Sequence, residues 1–136
     1  MSGISTRNFK MFRQLCGEST LRNVVILTNM WGEVSKETGE AREQELAMKE
    51  MFFKPALAKG ASLRRHDNTP ASAYKILRTI INNHPLSLQI QRELVDQKKD
   101  ISQTSAGKEL TKEWEEQMEK HRKEMKTLQE EMAGQS

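Results

Sequence analysis

The sequence predicts a layered α/β fold followed by a long C-terminal helix, and three observations carry that prediction. Residues 23–29 (Asn-Val-Val-Ile-Leu-Thr-Asn) form a continuous β-branched and aliphatic run without alternation, as in a strand buried on both faces of a parallel sheet. Helix-type and strand-type segments alternate up to Pro85, the order that crossover-linked strands require. No proline follows Pro85, and a charged helical pattern runs through residues 106–132.

In chain order, Ser5 or Thr6 caps a first helix over about residues 6–16, with Phe9, Phe12, Leu15 and Cys16 on its apolar face and Gly17 as its stop. The 23–29 strand comes next. Residues 32–40 are turn-rich, and 41–53 read as a charged helix burying Leu46, Met48, Phe52 and Phe53, which Lys54-Pro55 interrupts. Residues 56–60 form a short helical turn closing on Gly60, and 61–66 a second, more polar strand. Asn68 or Thr69 before Pro70 caps another helix with Ala73, Leu77, Ile80 and Ile81 inward; Asn82-Asn83 and Pro85 end it.

From Leu86 the pattern changes. A helix carries Leu86, Ile90, Leu94 and Val95, a break spans residues 100–107, and Thr104 or Ser105 caps the last helix. Along that helix Leu110, Trp114, Met118, His121, Met125, Leu128 and Met132 recur at steps of 4, 4, 3, 4, 3 and 4. Their mean of about 3.67 matches an 11-residue repeat more closely than a strict heptad. At ~1.5 Å per residue the helix reaches about 40 Å, so it either packs back along the body or pairs with another chain.

Totals narrow the function classes. The 136 residues hold one modest domain and a tail, and with 35% hydrophobic against 30% charged residues the core is thin. Residues 1–85 carry 13 Lys+Arg and 8 Asp+Glu, a net +5, whereas 86–136 carry 9 and 11, a net −2. These charges are too dispersed for a nucleic-acid face. The single cysteine excludes an internal disulfide framework and fits a reducing, cytoplasmic setting, and no apolar run is long enough for a membrane span.

Few residues are arranged for chemistry. The string from Ser102 to Lys108 lacks the first glycine and the terminal hydroxyl of a phosphate-binding loop, and no Asp-x-x-Gly occurs. His66, His84, His121 and Cys16 have no metal-ligand spacing, and Cys16 sits on an apolar helix face as a packed thiol would. No catalytic residue and no metal ligand is assigned.

The segments from Phe9 to Gly17 and from Leu21 to Gly32 resemble the second half of a P-loop GTPase domain. The likeness, running from about Ile4 to Met132, is to the GTPase-like proteins abundant in mushroom-forming fungi, which are related to septins and immune-associated nucleotide-binding GTPases. It implies a partial three-layer P-loop-type domain over residues 1–85, with two strands and flanking helices, and a charged helical tail over 86–136, a possible coiled coil. It further implies that Thr28, Asn29 and Trp31 occupy the guanine-recognition motif, usually Asn/Thr-Lys-x-Asp, and that Asn68 stands in the second base-contacting loop. Asn29 then replaces the lysine and Trp31 the aspartate, and an indole has a donor but no acceptor for the base.

In the resembled family GTP and magnesium are the cofactors, held mainly by the phosphate loop and switches that precede these elements. The resemblance therefore implies a C-terminal portion, with hydrolysis lacking visible machinery and no cofactor held by this chain alone. The missing half would come from a partner, or the chain is a truncated gene product. The alternative reading is a helical protein–protein interaction module, acting through residues 106–132 on a partner or as a homo-oligomer.

Overall fold

The computed structural model describes residues 3–135. Two strands, β1 (Val25–Thr28) and β2 (Ser62–Arg65), pair in parallel with Val25 opposite Ser62 and Thr28 opposite Arg65. Helices α2 (Lys36–Met48) and α3 (Lys54–Ala58) form the crossover between them. The chain is thus mixed α/β and mostly helical, with a long helix at its end.

The first helix, α1 (Gly3–Cys16), stops as expected at Gly17, whose φ of 78° suits a residue without a side chain. A Cβ there would lie 2.6 Å from Gln89 Oε1 and 2.7 Å from its Cβ, so the glycine also permits a close approach by the later chain. A 3₁₀ turn over Glu18–Asn23 then buries Thr20 and Leu21. Thr20 Oγ1 donates to the Cys16 carbonyl at 2.7 Å, satisfying its buried hydroxyl. Leu21 packs with Cys16, Ala56 and Ala61, and Phe9, Val24 and Leu57 surround them. Phe9 also meets Phe53 edge-on, with centroids 4.7 Å apart. Burial pushes the Cys16 thiol pKa up, consistent with a packed, unreactive cysteine.

The second strand and the Pro70 helix fall where the sequence places them. Gly60, at φ 104°, turns the chain from α3 into β2. Helix α4 (Pro70–Arg78) is capped by Thr69, whose hydroxyl accepts the Ser72 amide, while Asn68 adopts φ 66° ahead of the cap.

Four expectations need correction. β1 is not buried on both faces: Leu27 is 49% exposed, because a two-stranded sheet leaves its outer surfaces uncovered. α2 begins at Lys36, within the segment read as turns, because the Ser35 hydroxyl accepts the Thr38 amide and caps it. It ends at Met48, which is exposed; Phe52, beyond the helix, is the buried residue. α4 ends at Arg78, before Ile80 and Ile81; Ile76 is its buried residue, while Leu77, and Ile81 beyond the helix, are exposed.

The helix expected from Leu86 shrinks to α5 (Gln89–Gln91), which widens into a π turn over Arg92–Asp96. The wide turn closes through the Gln97 amide on the Arg92 carbonyl at 3.0 Å and leaves Val95 exposed. Glu93, not an aliphatic residue, is its buried member, at 3% exposure.

Helix α6 (Ser105–Gly134) starts at Thr104, whose side chain is fully buried and accepts the Gly107 amide at 3.0 Å. Its first turns lie alongside α1, where Arg7 and Glu113 pair at 2.7 Å. From Trp114 onward every described residue except Glu119 is exposed. The helix therefore begins on the body and then leaves it.

Candidate functional site

Parallel strands send their following loops out at the same sheet edge, and that edge is where the sequence-assigned residues gather. The His66 amide donates to the Thr28 carbonyl at 2.8 Å, fixing the loop after β2 beside the loop after β1. Thr28, Asn29 and Trp31 line one open groove of about 450 Å³ between this edge and α2. Leu27, Met30, Val34 and Leu46 supply its apolar wall, and Glu33, Arg42 and Glu43 its charges. Volume and mixed lining fit a small-molecule site. Asn68 is not among the residues lining this groove; it lies on the β2–α4 loop, exposed, three residues beyond Arg65.

Trp31 is fixed on several sides. Its Nε1–H donates to Thr28 Oγ1 at 2.9 Å, so the indole's single donor is used inside the protein. The Arg65 guanidinium stacks 4.1 Å from the ring centroid. That guanidinium in turn makes a two-pronged contact with Glu43 of α2, at 2.8 Å and 2.6 Å. Arg65's hydrogen bonds hold the Glu43 carboxyl below its usual range despite partial burial. Gly39 of α2 completes the seat, since a Cβ there would sit 2.6 Å from a Trp31 ring carbon.

The polar groups left facing the groove are accordingly few. The Asn29 side chain is exposed and makes no hydrogen bond among the described residues, and Met30 projects at φ 60° beside it. Glu33 brings an exposed carboxylate to the same lining, two residues after the tryptophan. The neighbouring loop is self-contained: Asp67 Oδ1 accepts from the Thr69 amide at 3.0 Å and from its hydroxyl, and His66 Nδ1 lies 3.0 Å from Ser72 Oγ. The Thr69 hydroxyl holds the Asp67 carboxyl below its ordinary range.

Sequence reasoning did not single out Glu33, Gly39, Glu43 or Arg65. Glu43 and Arg65 are 22 positions apart, so no local pattern links them. Gly39 gave no readable signal either, because the sequence places it in a turn-rich segment, whereas it stands in the first turn of α2. Among the described residues, no group of three or more His, Cys, Asp or Glu side chains is placed to hold a metal ion, and no helix is long and apolar enough to cross a membrane. No protein-family model, no curated protein and no solved structure matches the chain.

Proposed function

We propose that this chain is the base-facing half of a P-loop-type GTP-binding domain, able to contact a guanine base but not to hydrolyse a triphosphate by itself. The observation that carries the reading is the parallel β1–β2 pair, with the groove lined by Thr28, Asn29 and Trp31 at its carboxyl edge. In open α/β sheets ligands bind at that edge.

The substitution at Trp31 is compatible with this reading once Glu33 is considered. A guanine edge presents two donors, which a carboxylate accepts and an indole does not. Glu33 supplies that carboxylate within the groove, and Asn29 supplies an amide with a donor and an acceptor. With no phosphate loop in these elements, base contacts alone support only weak binding, on the order of millimolar, corresponding to about −4 kcal/mol. The phosphates and magnesium then contribute little.

Amide and indole NMR shifts during titrations with guanosine, GTP and adenosine test this. Guanosine and GTP are expected to move the Trp31 Nε1–H and the Asn29 amide equally, with or without magnesium, and adenosine to move them less. Glu33→Gln should erase the difference between the two bases. Shifts confined to other surfaces, or equal responses to guanosine and adenosine, would overturn the reading.

A further inference from the structure

We propose that α6 pairs with α6 of a second copy of this chain, antiparallel and centred on His121. The inference is independent of the nucleotide reading. Leu110, Trp114, Met118, Met125, Leu128 and Met132 are all exposed, each at 52% or more. At about 100° per residue they fall within a stripe about 80° wide along one side of the helix. They stand 11, 7 and 3 residues before His121 and 4, 7 and 11 residues after it. That spacing is nearly palindromic. A two-fold interface requires self-complementarity, in which one residue meets a second and the second meets the first. Antiparallel pairing meets it here, setting Leu110 against the second copy's Met132, Trp114 against Leu128 and Met118 against Met125.

Area, charge and placement point to the same occupant. Six large apolar side chains, each contributing on the order of 100 Å², come close to the ~800 Å² per partner that a stable interface buries. In an antiparallel pair like edges of the two helices meet. Lys120 then lies near the second copy's Glu124 on one edge, and Glu115 near Lys126 on the other. Two like-charge pairs arise, Glu113 with Glu131 and Arg122 with its own copy beside the axis; within its own chain Glu113 already has Arg7 at 2.7 Å and Arg122 has Glu119 at 2.6 Å. The helix dipoles oppose each other favourably, and the two bodies, each attached at the start of its α6, sit at opposite ends. A spacing near 3.67 suits a gently right-handed pair rather than a left-handed zipper.

Light scattering during size exclusion of the full chain tests the association. Twice the chain's mass is expected at about 100 μM, and a monomer there overturns the proposal. Met118→Glu with Met125→Glu should weaken association at least about 100-fold, while far-ultraviolet dichroism of the body is retained because both positions are exposed. Dimers that persist in this variant also overturn it. Orientation is read by oxidising Leu110→Cys and Met132→Cys, separately and mixed; buried Cys16 stays out of the reaction. Cross-links formed in the mixture, and not by either variant alone, support the antiparallel pair. Cross-links within each single variant overturn it.

Discussion

Leu21 and Leu128 both lie in helical segments, yet the first is 1% exposed and the second 54%. The difference separates two ways of holding a chain in place. Around Leu21, a 3₁₀ turn, α1, α3 and the approach to β2 converge on one small apolar cluster. Around Leu128, helicity rests on the cap at Thr104 and on local contacts such as the Lys126–Glu130 ion pair and the Thr127 hydroxyl bond to the Lys123 carbonyl. Burial stabilises the body, whereas α6 is a long local structure anchored at one end. Helix formation is cooperative and in proteins draws most of its stability from packing, so the state of α6 is sensitive to its anchor and to any partner.

The sharpest way to break the contrast is to damage the body and watch the helix. Leu21→Ala removes the best-buried large side chain of the cluster and should cost about 2–5 kcal/mol, depending on how far the site collapses. Urea unfolding followed through Trp31 fluorescence, in a Trp114→Phe background that removes the second indole, is expected to show this loss. Amide exchange beyond Met118 should scarcely change, because those residues do not touch the cluster. Equal acceleration in both regions would show that they unfold as one unit.

The anchor is the next target. Glu93 accepts from the Ser105 amide at 3.1 Å and from its hydroxyl at 2.8 Å, and Gln89 adds a bond at 3.2 Å. Glu93→Ala leaves those donors without a partner and should cost about 1–3 kcal/mol, seen as faster exchange through the first turns of α6. Burial alone would raise the Glu93 carboxyl pKa, but the hydrogen bonds from Ser105 and Gln89, with Lys99 nearby, reverse this and leave it below its ordinary value of 4.5. A carboxyl depressed in the folded state contributes stability above the unfolded-state pKa and loses it as pH falls through the folded-state value. The anchor should therefore weaken in acid, from about pH 4.5 downward. The stability gap between wild type and Glu93→Gln should narrow over that window. A gap that stays constant down to the lowest pH would contradict this assignment.

Thr104→Ala tests the same end more gently. Losing the cap should cost about 1 kcal/mol. Because α6 has little else to hold its start, the loss should appear as reduced helicity by far-ultraviolet dichroism. The equivalent Thr69→Ala, at the start of the α4 helix that buries Ile76, should leave dichroism nearly unchanged.

These contrasts also explain what could be read from residues alone. The aliphatic run at β1, the Gly17 stop, the Thr69-Pro70 start and the 30-residue α6 are local signals, set by neighbours within a few positions. Glu93 gave no such signal. It stands in an apparently amphipathic segment, and its partner Ser105 is 12 residues away across a break. The inward face expected for α4 followed the assumption of a second layer, which Leu77 and Ile81 do not meet. At the groove, the family likeness points to Thr28, Asn29 and Trp31 within one four-residue stretch, whereas Arg65 reaches Trp31, and Glu43 reaches Arg65, only through the fold.

The smallest expected stability effect falls on Gly39, and its value lies in what moves. Replacing this first-turn glycine by alanine favours α2 by up to about 1 kcal/mol in helix propensity. The added methyl, however, would lie 2.6 Å and 2.8 Å from two Trp31 ring atoms, so the ring must give way. Displacing it gives up the bond to Thr28, about 0.5–1.5 kcal/mol, and the stacking on Arg65, about 0.5–1 kcal/mol. The losses outweigh the gain by at most about 1.5 kcal/mol, so the unfolding midpoint should fall slightly or stay in place. Trp31 emission should nevertheless shift toward that of a solvated indole, and the Nε1–H resonance should leave its hydrogen-bonded position. A clear stability gain with unchanged Trp31 signals would mean that the ring is not seated on Gly39. A large loss would mean that the Trp31–Arg65–Glu43 stack supports the sheet edge more strongly than its exposed position indicates.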